Sequence, residues 1–343
     1  MKHTFKVTAI ILAMFLLTQV IGMYVVNHYS SVRTIDGISE NVTAPEIPFG
    51  LETQEPKDAA EFNQVIIAVV IAFVIAIALL FFLMHFKAEF LLKFWFFAVV
   101  TIALGIAFVA FMPEVTNKYG ISFTSFDIPF SYLIALVIAL PLAIIKIFKR
   151  NFWIHNLTEL FIYPGIAAVF APLLNFYTVI LLLLIISAYD MWAVWRSGVM
   201  QKMAKYQIDK LKIFSGFFVP YMNKKTKAMI KKAKTKKELI KKKIKVNIAI
   251  LGGGDVIFPI ITAGVMLRIF GYVSMFGINV PLASILVLLG AAFGLTYLFF
   301  FAEKKKFYPA MPFITSGILI GIGLSWIIYS KLLGIPVNFG FLF

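Results

Sequence analysis

Residues 248–260 read IAILGGGDVIFPI, an apolar stretch suited to the interior of a membrane that nevertheless contains an aspartate, Asp255. A carboxylate at the centre of a spanning helix costs about 2.5–3.5 kcal/mol on insertion scales, which makes it a candidate for a functional site. Three glycines, at 252–254, directly precede the aspartate. Glycines let another backbone approach closely, and each weakens a helix by about 1 kcal/mol. They predict an opening beside Asp255 or close helix packing, and the two are compatible.

The composition of the chain is that of a membrane protein with several spans. Of its 343 residues, 61% are hydrophobic and 14% are charged, whereas soluble proteins have about 45–50% apolar and about 25% charged residues. The chain contains no cysteine, which excludes disulfides and thiolate ligands. Its four histidines stand singly, so we predict no metal site. The formal net charge of +16 is typical of basic cytoplasmic loops, and we expect no binding of nucleic acid.

Nine segments have the roughly 20 apolar residues that a membrane-spanning helix needs. We therefore predict an all-α fold in three parts: helices one to six within 1–195, a basic loop over 196–245, and helices seven to nine within 246–343. The fifth segment is the least regular, because Pro164 interrupts it. The first segment lacks a small-residue cleavage site, so we predict a retained helix rather than a signal peptide. The predicted spans are 6–27, 63–85, 92–112, 129–147, 156–172, 173–194, 246–268, 280–301 and 310–330.

The distribution of basic residues predicts the orientation of these spans. With nine alternating helices, 27 of the 32 lysines and arginines fall on the side of the N-terminus and five on the other side. Basic residues are enriched in cytoplasmic loops. We therefore expect a multi-pass protein of the cell membrane with its N-terminus in the cytoplasm and its C-terminus outside. The acidic loop 29–62, which contains a glycosylation sequon at Asn41, would then face outside.

The basic loop 196–245 has two halves of different character. Its first half, GVMQKMAKYQIDKLKIFSGFFVPYM, mixes apolar residues with lysines and is predicted to lie in the membrane interface as an amphipathic helix. Its second half, NKKTKAMIKKAKTKKELIKKKIK, is mostly lysine. This half is either a solvated linker or a segment that contacts anionic membrane lipids.

Three carboxylates fall within the predicted spans: Glu159, Asp190 and Asp255. At 1.5 Å per residue, Asp190 lies about 9 Å from Arg196 and Asp255 about 15 Å from Lys245. Successive helices run in opposite directions, so both aspartates are predicted at similar depth in the cytoplasmic half. Two facing carboxyl groups share a proton and can activate water without a metal. Separate packing roles or a proton relay remain alternatives, and Glu159 is predicted to extend to the membrane interface.

Three short motifs resemble those of the presenilin and signal peptide peptidase family of intramembrane aspartyl proteases. The YD sequence at 189–190 resembles the family's YD motif, and GGGD at 252–255 resembles its GxGD motif. PAM at 309–311 resembles the family's Pro-Ala-Leu motif, with methionine in place of leucine. The three occur in the family's order on predicted helices six, seven and nine. The chain is thus similar to an archaeal-type presenilin homologue.

The resemblance implies a presenilin-like fold of nine helices and an aspartyl endopeptidase that cuts transmembrane or signal-peptide-like segments of other proteins. It implies Asp190 and Asp255 as the catalytic pair, with no cofactor, no metal and no obligate partner subunit. An ion- or proton-coupled transporter would also need buried acids and glycine-broken helices, and a structural membrane protein is a third possibility. Residues expected to shape the site or receive the substrate are Tyr189, Gly252, Gly254, Pro309, Ala310 and Met311.

Overall fold

Nine helices long and apolar enough to cross a membrane occur among the residues that the structure describes. The structure is a computed structural model. It describes residues 5–30, 32–41, 45–50, 59–86, 88–113, 120–123, 126–149, 151–198, 206, 215–221, 247–275, 277–302 and 308–335. The helices are α1 (Phe5–His28), α2 (Ala59–His85), α3 (Glu89–Val109), α4 (Phe130–Ile144), α5 (Phe152–Phe170), α6 (Phe176–Met191), α7 (Gly253–Phe270), α8 (Leu282–Phe301) and α9 (Met311–Ile327). π-Helical turns extend α4 over Ile145–Lys149, α6 over Trp192–Arg196 and α9 over Ile328–Leu332.

The nine predicted spans correspond to these nine helices, and the largest disagreement is at the seventh. The span was predicted from residue 246, but a strand occupies Asn247–Gly252 and α7 begins at Gly253. Gly252 is extended, with φ −65° and ψ 148°, so the helix cannot continue back through it. The expected interruption of the fifth span is also wrong, because α5 runs on through Pro164. Membrane helices tolerate proline where neighbouring groups satisfy the freed backbone.

Short antiparallel strand pairs join several of the helices. The pairs are β1 (Val32–Ile35) with β2 (Ile38–Asn41), β3 (Gly120–Phe123) with β4 (Phe126–Pro129), β5 (Gly216–Tyr221) with β6 (Asn247–Gly252), and β7 (Val273–Met275) with β8 (Ile278–Val280). The prediction of an interfacial helix is wrong for 216–221, which form β5. Most of the rest of that half of the loop, and all of 223–245, lies outside the described residues.

Among the described residues, the buried side chains form two clusters that meet at α3 and α5. The larger cluster draws on α1, α3, the β5–β6 pair and α5 to α9, and the smaller one on α3, α4 and α5. Neighbouring residues of α5 serve different clusters, since Tyr163 belongs to the larger and Ile162 to the smaller. Helix α5 therefore connects the helices that carry the three motifs to the α3–α4 part of the protein.

Helix α7 is held by polar contacts with α1 and α8. The Gln19 amide of α1 donates to the Val256 carbonyl at 3.1 Å. The Ser284 hydroxyl of α8 donates to the Ala263 carbonyl at 2.8 Å. Both bonds are buried, where leaving a carbonyl or amide without a partner is costly. These contacts fix α7 at two levels along its length.

Helices α8 and α9 approach each other closely enough for their backbones to touch. Gly290 faces Gly317, and Gly294 faces the Phe313 carbonyl, so a Cβ at any of these glycines would collide with backbone. Small residues allow such packing in membranes. The start of α9, which carries the third motif, is thereby fixed against a rigid neighbour.

Candidate active site

Asp190 lies near the end of α6 and is 7% exposed. Its Oδ2 accepts a hydrogen bond from the Met311 backbone amide at 3.1 Å, and the Ala310 backbone also bonds to this carboxyl. Ala310 is the N-cap of α9. The first amides of a helix have no partner within it and carry partial positive charge. Asp190 therefore occupies the N-terminus of α9, where a negative charge is stabilised.

Asp255 lies in the first turn of α7, three residues after the N-cap Gly252. Its carboxyl is hydrogen-bonded to the Gly252 backbone. A side chain at this position that returns to the N-cap amide is one half of a capping box. Asp255 is partly exposed, and the adjacent Gly254 is exposed. Both aspartates thus sit at helix N-termini, Asp190 at that of a neighbouring helix and Asp255 at that of its own.

The structure brings the two predicted aspartates together. The charge of Asp190 acts on the carboxyl of Asp255, which places the two groups within electrostatic range inside an apolar helix bundle. Such a pair can hold one carboxylate and one carboxylic acid, and so supply a proton acceptor and a proton donor in one site. Among the described residues, no group of three His, Asp or Glu side chains is placed to hold a metal ion.

The third motif contacts Asp190 through its backbone rather than through its side chains. Pro309 and Met311 are buried, and Ala310 is partly buried. The amide of Met311 is directed at Asp190, so it is not free to bind a substrate strand. Tyr189, the fourth neighbour predicted here, is partly buried and its ring lies 6.1 Å from that of Trp192.

The three glycines before Asp255 differ in their surroundings. A Cβ at Gly253 would lie 2.8–2.9 Å from the Ser215 hydroxyl and the Tyr163 side chain, so any side chain there would require these neighbours to move. A Cβ at Gly252 would lie 3.1 Å from Oδ2 of Asp255, and one at Gly254 would meet only the Phe258 ring at 3.7 Å. The sequence predicted that Gly252 and Gly254 shape the site, whereas the structure leaves the least room for a side chain at Gly253.

An apolar cavity of about 620 Å³ lies beside both aspartate-bearing helices. On α6 it reaches Ile186, about one turn before Asp190, and on α7 it reaches Ile257 and Phe258, within about one turn after Asp255. Its far wall is α2. The lining side chains come from Val65, Ala68, Val69, Val70, Ala72, Ala76, Phe170, Leu173, Leu174, Leu182, Ile185, Ile186, Ile257, Phe258 and Ile261.

Glu159 does not extend to the membrane interface, so that prediction is wrong. It is 1% exposed, and its Oε1 lies 2.6 Å from Nζ of Lys146. Lys146 stands on the π-helical turn after α4, and the short link before α5 turns it back against Glu159. A buried carboxylate inside apolar surroundings needs a charged partner. The sequence offered two other basic residues nearer the turn, so it did not identify Lys146 as that partner.

The comparisons with known proteins identify the family of the chain. The family profile described as "Signal-peptide peptidase, presenilin aspartyl protease" matches residues 41–330. The chain belongs to this family. It is therefore an intramembrane aspartyl protease, and the matches give no support to the transporter alternative. No curated protein matches the sequence significantly.

Two solved structures share the fold of this family member. The first is the structure of a presenilin family intramembrane aspartate protease in space group C222. It is 16% identical in sequence with a TM-score of 0.53, and the match covers 94% of this chain and 99% of the solved chain. The second is such a protease in space group P2, with 16% identity, a TM-score of 0.51, and coverage of 93% of this chain and 96% of its own. At this identity the likeness concerns the fold alone.

Proposed function

We propose that Asp190 and Asp255 form the catalytic dyad of this protease and hydrolyse peptide bonds in membrane-embedded segments. The observation that carries the proposal is that these two carboxyls, on the adjacent helices α6 and α7, lie within electrostatic range of each other. In this mechanism the ionised carboxyl removes a proton from a water molecule, which attacks the peptide carbonyl carbon. The protonated carboxyl gives its proton to the carbonyl oxygen, and the amine leaves after receiving a proton from the dyad. The titration of such a pair belongs to both groups together.

The apolar cavity supports a transmembrane helix as the substrate. Its described lining is almost wholly apolar, which suits a segment that arrives from the lipid. The cavity lies about one helical turn from each aspartate. A helix bound there would therefore present one of its ends to the dyad. We propose transmembrane or signal-peptide-like segments as the substrate class, received from the side of α2.

The open edge of β6 supports binding of the scissile segment as an extended strand. In strand β5, the backbone N–H and C=O groups of Gly216 and Phe218 face away from β6 and bond side chains of α5. Along each strand of an antiparallel pair, the backbone N–H and C=O groups of successive residues alternate between facing the partner strand and facing away from it. Ile250 lies opposite Phe218 in the register, so the backbone groups of Ile250 face away from β5. Within the described residues this sheet has two strands only. The free edge of β6 leads directly to Asp255, and a peptide can add to such an edge.

The third motif holds Asp190 in place and borders the substrate. Pro309 and Pro312 carry no amide hydrogen, and α9 begins between them at Met311. We propose that this break fixes the amides of Ala310 and Met311 on Asp190, while the partly buried side chain of Ala310 and the ring of Tyr189 border the peptide. Gly252 and Gly254 leave space beside Asp255 for the peptide backbone.

We propose that the N-terminus and the loop 196–245 are cytoplasmic and that the C-terminus is outside the cell membrane. The charge asymmetry of the loops supports this orientation. A Ser215→Cys variant of the cysteine-free chain would then be protected from an impermeant thiol reagent in intact cells and labelled after permeabilisation. Labelling from outside before permeabilisation would contradict the orientation. Lipid contacts by the lysine-rich segment 223–245 would follow from the same placement.

We propose that the single chain is active without obligate partner subunits, because both aspartates and the segments around them belong to one chain. The test is incubation of the purified protein in lipid vesicles with a transmembrane peptide, followed by mass spectrometry of the products. Wild-type protein should cleave the peptide, and Asp190→Asn and Asp255→Asn should each abolish cleavage. Asparagine keeps an oxygen that can accept the backbone amides, so both variants should keep the thermal unfolding midpoint. Cleavage at near wild-type rate by either folded variant would refute the dyad.

A further inference from the structure

A buried cluster of charged and polar side chains lies outside the proposed dyad. Nζ of Lys146 lies 2.6 Å from Oε1 of Glu159 and 3.3 Å from Nδ1 of His155. All three residues are buried. A buried ion pair is rarely retained for stability, because desolvation offsets most of the attraction between the charges. The proposed chemistry uses none of these groups, so their role must lie in what else they contact.

The cluster contacts the backbone of strand β5. Oε1 of Glu159 accepts the Gly216 amide at 3.3 Å, and Nε2 of His155 lies 2.8 Å from the Gly216 carbonyl oxygen. A carbonyl can only accept, so Nε2 carries the hydrogen. Nδ1 faces the Lys146 ammonium, which can only donate, so Nδ1 is the acceptor. The histidine is therefore neutral, and the negative charge of Glu159 has Lys146 as its charged partner.

Asn156, one residue along α5, completes the attachment. Its Nδ2 donates to the Phe218 carbonyl at 3.0 Å, and its Oδ1 accepts the Phe218 amide at 3.0 Å. The outward groups of β5 at Gly216 and Phe218 are thus all bonded to side chains of one helix. Pro220, the third outward residue of this strand, has no amide hydrogen to satisfy. The edge of β5 that faces α5 is therefore closed by specific hydrogen bonds.

The attachment of β5 is transmitted to Asp255 through β6. Gly216 lies directly opposite Gly252 in the register of the two strands. Gly252 is both the last residue of β6 and the N-cap of α7, and its backbone is bonded to the Asp255 carboxyl. The next residue, Gly253, packs against Ser215, which precedes β5, and against Tyr163 of α5. Any shift of β5 along or away from α5 would thus move the turn that carries the aspartate.

We propose that Glu159, charged against Lys146 and bonded to Gly216, is a positioning residue that sets the location of Asp255 through the β5–β6 pair, with Asn156 as its second attachment point. This inference rests on the proposed catalytic role of Asp255. It assigns the buried ion pair to the geometry of the dyad rather than to the stability of the bundle. Displacement of a reacting group by about 1 Å can cost about 10²-fold in rate.

A matched pair of double variants separates the hydrogen bond from the charge. Lys146→Met/Glu159→Gln removes both charges but keeps an oxygen that accepts the Gly216 amide. Lys146→Met/Glu159→Leu removes both charges and the acceptor. Replacing a buried ion pair with apolar residues of similar volume often leaves stability unchanged or raises it. The two variants differ at the bond to β5 and in the contact of residue 159 with Tyr163. The Leu variant leaves the Gly216 amide buried without an acceptor, which should cost about 1–3 kcal/mol, so kcat is compared at a temperature at which both variants are folded.

The expected result is a split between kcat and KM in the vesicle assay. The Gln double variant should recover most of the wild-type kcat, and the Leu double variant should lose kcat by about 10- to 100-fold with KM within about threefold. Equal kcat values for the two double variants would overturn the proposal. A loss confined to KM would also overturn it, because the dyad would then be in place.

A second comparison does not depend on the charged pair. Asn156→Leu removes both bonds to Phe218. Asn151→Ala removes the N-cap of the same helix, whose side chain accepts the Trp153 and Ile154 amides and makes no hydrogen bond to a strand among the described residues. The proposal expects a larger loss of kcat for Asn156→Leu than for Asn151→Ala at matched loss of unfolding temperature. Equal losses would assign both effects to weakening of α5 and would overturn the proposal. Cleavage by the Asp255→Asn variant would refute the proposed function. If Asp255→Asn is inactive but Asn156→Leu cleaves at the wild-type rate, only the positioning role is refuted.

Discussion

The two aspartates are held in place by different kinds of structure. Asp190 stands on a long helix and is held directly by backbone amides at the start of α9, a helix fixed by glycine contacts with α8. Asp255 stands at the start of its helix, directly after strand β6. Its position depends on β6, on the pairing of β6 with β5, and on the bonds from β5 to α5. One carboxyl is held by direct bonds to the start of one helix, and the other by a series of contacts through three elements.

The site therefore has two halves that should respond differently to substitution. The Asp190 half comprises the end of α6 and the start of α9, and the Asp255 half comprises the start of α7 with the β5–β6 pair. Helix–helix packing with backbone contact resists displacement, because a packed interior has little free space. The β5–β6 pair, two strands of six residues each, also buries Phe217, Val219, Ala249 and Leu251 in the larger cluster, but its attachment to α5 depends on hydrogen bonds along one strand edge. The Asp255 half should therefore respond to substitutions on α5, remote from the peptide, whereas the Asp190 half should respond mainly at the start of α9.

The largest effect on stability is expected at the ion pair that anchors the Asp255 half. Glu159→Gln alone leaves the Lys146 ammonium buried without a charged partner, which should destabilise the protein by about 3–5 kcal/mol. Adding Lys146→Met should restore most of that loss, because no charge is then buried. Thermal unfolding in detergent measures both. An unfolding midpoint for Glu159→Gln equal to that of wild type would show that the pair is not buried as described.

The next effect is expected at the start of α9, on the Asp190 half. Without the ring of Pro309, the helix can extend backwards by a turn, and the Met311 amide would then bond within the helix rather than to Asp190. We expect Pro309→Ala to lower kcat by about 10-fold or more, equivalent to at least about 1.4 kcal/mol, with little change in unfolding temperature. Met311→Leu keeps volume and apolarity and should be nearly neutral. Wild-type cleavage by Pro309→Ala would show that this segment does not hold the dyad.

A smaller effect should distinguish the glycines of the Asp255 half. Gly253→Ala places a methyl group against Tyr163 and Ser215, and overpacking of this kind costs about 1–3 kcal/mol. Gly254→Ala meets only ordinary contact with Phe258 and should change stability by less than about 0.5 kcal/mol. Unfolding midpoints of the two variants provide the comparison. A larger loss for Gly254→Ala would contradict the described packing of the turn.

The smallest effect is expected at a hydroxyl pair that joins α6 to α9. Oγ of Ser187 lies 2.8 Å from Oγ1 of Thr315, and both residues are buried. A hydrogen bond of this kind contributes about 0.5–1.5 kcal/mol. In a double-mutant cycle, Ser187→Ala and Thr315→Val should therefore couple by about that amount in unfolding free energy. Additive effects of the two substitutions would show that this contact contributes nothing to the Asp190 half.

The sequence predicted the Asp190 half more completely than the Asp255 half. Nine apolar segments, the motifs at 189–190 and 309–311, and the aspartate at 255 could all be read from the order of residues. Asp190 lies near the end of a regular helix, so the spacing along that helix described its surroundings well. The structure confirms the nine helices and the family profile confirms the kind of enzyme.

The Asp255 half was harder to predict, because its determinants are distant in sequence. A short apolar run such as 247–251 has the same pattern in a buried strand and in a membrane helix, so the strand was read as helix. Its partner β5 lies within a lysine-rich loop that gave no strand signal. The link from Glu159 to Lys146 and Gly216 spans separate elements, and only the folded chain shows it. The sequence shows Gly253 as part of the GGG run, but it does not show that this residue packs against Ser215 and Tyr163.

The pairing of the two carboxyls is tested most directly by cross-linking α6 to α7 at these positions. The natural chain has no cysteine, so Asp190→Cys/Asp255→Cys carries only two thiols. A short thiol-to-thiol reagent joins two cysteines that face each other without requiring the close Cα approach of a disulfide. After treatment with the reagent and trypsin cleavage in the lysine-rich segment 223–245, this variant should run as one species, and as two fragments when the reagent is omitted. The control pair Asp190→Cys/Leu267→Cys, whose second cysteine lies about 18 Å further along α7, should give two fragments in both cases. Two fragments from the treated Asp190→Cys/Asp255→Cys protein would contradict the dyad.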